Sequence, residues 1–79
     1  MRYWLHDPSP RLRAAIESYI NGADLSDQDV ALIRGYLKQW IEGPFAGAES
    51  LRARVDGLHS REAIDQWLDE ALELNIDPL

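Results

Sequence analysis

Apolar residues recur along this chain at helical spacing, in four stretches separated by glycine, asparagine and proline. In the first, Leu12, Ala15, Ile16, Tyr19 and Ile20 lie three or four positions apart, the period that lines one face of an α-helix. Ser9-Pro10 opens it: serine caps, and proline in the first turn loses no donor that the helix needs. Asn21-Gly22 closes it, since glycine accepts the left-handed conformation of a helix stop.

In the second stretch Ser26 and Asp29 make the S-x-x-D of a capping box, and Leu25 and Val30 stand where a hydrophobic staple forms. Val30, Ile33, Leu37, Trp40 and Ile41 carry the stripe, which Leu32 and Tyr36 broaden. Gly43 ends it, and Pro44, having no N–H, predicts the simpler left-handed stop rather than the two-bond Schellman arrangement. Residues 44–47 read as a connector with Phe45 turned inward. A short third helix is expected over residues 48–56, burying Ala48, Leu51 and Val55 and ending at Gly57. The fourth begins at Ser60, buries Ile64, Trp67, Leu68, Ala71 and Leu72, and ends near Asn75.

No strand pattern competes with these helices. The expected fold is all-α: a small single-domain helical bundle over residues 1–79, with three main helices, one short helix and roughly antiparallel neighbours. Residues 1–8 form a lead-in and 76–79 a short tail. The expected core is Leu12, Ile16, Ile20, Val30, Ile33, Leu37, Trp40, Leu51, Val55, Ile64, Trp67 and Leu68. A 79-residue chain buries only about 60–65% of its unfolded surface, so each large side chain matters. With no cysteine there is no disulfide or thiolate staple. No apolar run suggests a signal peptide or a membrane span, and a cytoplasmic protein with no membrane association is expected.

Charge changes the picture. From residue 56 onward seven acidic side chains face one base, Arg61, and this segment holds the whole formal charge of −6. The preceding residues are balanced. Glu62, Asp65, Asp69 and Glu73 fall at i, i+3, i+7 and i+11, a continuous stripe on the outer face of the fourth helix. Most charge runs are solvated faces that keep a protein dispersed. The functional alternative is a docking stripe for a protein with a basic or neutral surface. Tyr3, Trp4 and Leu5 precede any helix; exposed, they would form a second interaction patch and a route to a homodimer.

Other chemistry finds less support. His6, Asp7 and His59 are the only imidazole-containing set that could gather a metal, and they lack ligand spacing, so no metal and no cofactor is expected. There is no G-x-S-x-G elbow or phosphate-binding glycine loop, and helix capping accounts for most serines; no enzyme is expected. Gly35 lies inside the second helix, where glycine costs roughly 1 kcal/mol relative to alanine, and a close neighbour or a ligand groove would explain it. A helix-turn-helix-like DNA binder would use Arg34 and Lys38 on the second helix with Arg52 and Arg54 on the third. A net charge of −6 opposes that reading, and pairing such as Lys38 with Glu42 is the plainer role for these bases. A structural subunit without separate activity is the remaining alternative.

Overall fold

Ser9, Ser26 and Ser60 each open a helix by accepting a backbone N–H from three residues ahead. The computed structural model describes residues 9–43 and 47–79. In order these give α1 (Pro10–Ile20), α2 (Asp27–Ile41), α3 (Glu49–Arg54) continued by a 3-10 turn at Val55–Gly57, and α4 (Arg61–Glu73). The fold is all-α, with no strand among the described residues. The Ser9 hydroxyl takes Leu12 N–H (3.3 Å) and the Ser60 hydroxyl takes Ala63 N–H (3.2 Å). At α2 the capping box is complete, with Asp29 N to Ser26 Oγ at 3.1 Å and Ser26 N to Asp29 Oδ2 at 3.3 Å. The expectations for Tyr3, Trp4, Leu5, His6, Asp7 and Phe45 lie outside the described residues.

Two of the helices stop at a residue in the left-handed conformation. Gly22 (φ 76°) ends α1 with Ala23 N to Ser18 O (2.9 Å) and Gly22 N to Tyr19 O (3.2 Å), the bond pair of a Schellman motif. Asn75 (φ 62°) ends α4 in the same way, through Ile76 N to Ala71 O and Asn75 N to Leu72 O, both 2.9 Å. This motif sets the residue after the left-handed position against the helix's last turn, and Ile76 is accordingly 3% exposed. Pro78 is buried too, its carbonyl accepting Tyr36 O–H at 2.6 Å. The tail is thus part of the packing.

At α2 the sequence predicts a simple left-handed stop, and the structure differs. Gly43 N–H reaches Trp40 O (3.3 Å), not the Gln39 carbonyl that such a stop would use. Arg52 supplies the rest: its Nε donates to Ile41 O (2.9 Å) and a terminal nitrogen to Gly43 O (2.8 Å). A side chain from α3 therefore satisfies carbonyls that the helix end leaves open.

The core forms where the four stripes meet. Ile16, Ile33, Leu37, Ile41, Ile64 and Ala71 are fully shielded, with Trp67, Leu51 and Val55 almost so. Burial of side chains of this size contributes about 1.5–3 kcal/mol each. Trp67 also donates its indole N–H to Leu51 O (3.0 Å), tying α4 to α3 and leaving no polar atom of its ring unmet.

Three expected core residues, Trp40, Leu68 and Ile20, and one further residue expected to be buried, Leu72, lie further out. Trp40 and Leu68 are half-buried and pack against the core's edge. Ile20, the last residue of α1, is 49% exposed because the chain leaves the helix there. Leu72 is 54% exposed, since a rotation of roughly 100° per residue sets it beside the acidic stripe and away from Ile64, Trp67 and Ala71. At Gly35 an added Cβ would meet nothing within 4 Å among the described residues. The close neighbour expected there is not found, and nothing in the structure explains the glycine.

Candidate functional site

The outer face of α4 is acidic because its carboxylates repeat in phase with the helix while Ile64, Trp67 and Ala71 hold the opposite side in the core. Glu62, Asp65, Asp69 and Glu73 are all exposed. Glu62, in the first turn, is favoured by the helix dipole; Glu73, in the last, is opposed by it. Among the described residues none of the four forms an ion pair.

Asp65 differs from the other three. It accepts a hydrogen bond from the Tyr19 hydroxyl of α1. Burial of the phenol, followed by that bond to a carboxylate, holds the Tyr19 hydroxyl well above its usual ionisation range. The lone base of the segment, Arg61, turns the same way. Its guanidinium lies 4.9 Å from the centre of the Tyr19 ring and donates to Tyr19 O (2.9 Å), Ser18 O (3.5 Å) and Ala23 O. Arg61 therefore caps the end of α1 from α4 and forms no ion pair with the acidic stripe among the described residues. Glu70, off the stripe, pairs with Arg54 at 2.6 Å.

The bases considered for DNA are placed differently. Arg34 donates to Leu58 O (3.0 Å) and faces His59 Nδ1 (3.2 Å), which must be the acceptor because guanidinium carries donors alone. Lys38 pairs with Asp56 at 3.0 Å, not with Glu42. Arg52 holds the end of α2, and Arg54 reaches Ser50 O (3.3 Å) as well as Glu70. All four thus have partners within the fold.

Two clefts border the first turns of α4. One, about 400 Å³, lies between α3 and α4, with Leu58 and Trp67 at its base and Ala53, Gly57 and Ala63 as small walls. The other, about 380 Å³, is polar and brings His59 near Asp24, Asp27 and Glu62. Among the described residues no group of three His, Asp or Glu side chains is arranged to hold a metal ion. No described helix is long and apolar enough to cross a membrane.

Sequence reasoning missed the structural roles of Arg52 and Arg61. A signal was present for Arg61: a base directly after a serine cap sits where the helix dipole disfavours it, which implies a partner elsewhere. Arg52 left no such signal, because its partners are backbone carbonyls eleven and nine residues earlier. No protein-family model matches the chain, and no curated protein or solved structure shows significant similarity to it.

Proposed function

We propose that this protein is a small non-enzymatic interaction or regulatory module of the cytoplasm. In this reading it presents the acidic outer face of α4 to a protein partner with a basic surface. The observation that supports this is an asymmetry of charge. Glu62, Asp69 and Glu73 stand exposed with no ion pair among the described residues, while Arg34, Lys38, Arg52, Arg54 and Arg61 all have partners in the fold. A field of one sign on one face steers a complementary partner and rejects others, and salt weakens it because the screening length is about 10 Å at 0.1 M.

Charge reversal at Glu62, Asp69 and Glu73 to Lys tests the reading, with Asp65 left in place because it holds Tyr19. Affinity capture from the native host, at low and moderate salt with a nuclease-treated control, should recover a protein partner that the reversed variant loses. Salt-dependent recovery of nucleic acid with no protein partner would contradict it.

A further inference from the structure

We infer that the groove between α3 and α4 receives an apolar anchor from a basic amphipathic helix of the partner, while the acidic stripe holds that helix's basic flank. The inference rests on the function proposed above and adds the form of the partner. Leu58 and Trp67, which are 4% and 1% exposed, line the base of this groove, and Ala53 and Ala63 continue its apolar lining. Ala53, Gly57 and Ala63 leave about 400 Å³ unfilled, and an added Cβ at Gly57 would meet nothing within 4 Å.

The rims explain the choice of occupant. Gln66 lines the groove and lies one helical turn from both Glu62 and Asp69, with Glu73 one turn further on, so one rim is the edge of the acidic stripe. On the other rim Arg54 is neutralised by Glu70 at 2.6 Å. An apolar centre beside an acidic border with no ion pair among the described residues complements a helix with apolar residues on one face and lysine or arginine on the next. Small-molecule sites enclose most of their ligand; this groove is open to solvent and suits a protruding side chain.

Nitrogen-15 NMR titration of the whole chain tests it with two synthetic peptides. One is an Ala/Lys helix carrying leucines at i and i+4; the other has glutamine in place of each leucine. The leucine peptide should bind roughly tenfold or more tightly, as expected for an apolar anchor worth about 1.4 kcal/mol, and should shift the Trp67 indole and the Gly57 and Ala63 amides. Ala53→Trp and Gln66→Trp each fill the groove from an exposed position, and whichever is folded by thermal melt should lose that advantage while still binding the glutamine peptide. Equal affinity of the two peptides, or groove signals that do not move, overturns the groove while leaving the acidic face intact as a docking surface. Failure of both peptides to bind at millimolar concentration at low salt overturns the function proposed above as well.

Discussion

The bases around α2, α3 and the start of α4 and the acids on the outer face of α4 are equally polar in sequence, yet they serve opposite ends. Arg52 closes the end of α2, Arg61 closes the end of α1, and Arg34 pins the turn that leads into α4. Arg52 and Arg34 reach backbone carbonyls at a helix end and a turn, and Arg61 adds a second donor to the Tyr19 and Ser18 carbonyls and reaches Ala23 O as well. Glu62, Asp69 and Glu73 reach no ion-pair partner among the described residues. The difference lies in geometry rather than residue type. A long guanidinium at an element boundary can span to the next element, whereas a carboxylate on the outer side of an amphipathic helix faces solvent. At these positions the guanidinium groups tie elements of the fold together, while Glu62, Asp69 and Glu73 stand exposed on the outer face of α4.

If that division is correct, removing a capping guanidinium should have the largest effect on stability. Arg52→Met and Arg61→Met keep much of the aliphatic stem but remove charge-assisted hydrogen bonds to carbonyls, each variant losing about 2 kcal/mol. In a domain of this size such a loss lowers the melting temperature by about 10 °C. A melt unchanged in both would break the comparison at its stronger side.

Tyr19→Phe sharpens it, because Tyr19 ties Asp65 of the stripe to the body of the fold. Losing the hydroxyl bond to Asp65 should cost about 1 kcal/mol at neutral pH. The sign with pH is fixed. The folded-state ionisation of Tyr19 is raised above the unfolded value of about 10. Its contribution is therefore full below that pH and is lost as pH rises through the folded value. Urea midpoints between neutral and strongly alkaline pH should fall for the wild type and fall less for Tyr19→Phe.

The smallest effect is expected at Lys38. Its pair with Asp56 is exposed on both sides, 49% and 69%, so Lys38→Met should change stability by no more than about 0.5 kcal/mol. A larger loss, read by the same denaturant midpoints, would mean that the bases of α2 work through ion pairs rather than through carbonyl contacts.

Much of the fold was legible because its signals are local. Ser9, Ser26 and Ser60 marked helix starts from neighbouring residues alone, and Gly22 and Asn75 marked stops by their tolerance of positive φ. Trp67, Ile33 and Leu37 fell at the centre of their stripes and went inside. Edges were harder. Leu68, Leu72 and Trp40 lie at the margins of a stripe, where burial depends on which helix packs alongside. The acidic stripe was equally visible, since phase along one helix is enough to define it. What remained hidden was contact between distant residues: Arg61 with Tyr19, Arg52 with Ile41, Tyr36 with Pro78 and the groove walled by α3 and α4. None of these follows from period or capping.

The most direct test of the division is equilibrium unfolding of the triple variant Glu62→Gln, Asp69→Asn, Glu73→Gln. Neutralising Glu62 removes a favourable dipole interaction and neutralising Glu73 removes an unfavourable one, each by some tenths of a kcal/mol, at about 0.3–1. Lower net charge also relieves self-repulsion. Stability is therefore expected to stay within about 0.5 kcal/mol of the wild type. A loss of about 2 kcal/mol, matching that of Arg52→Met, would show that these carboxylates hold the fold and are not free for a partner.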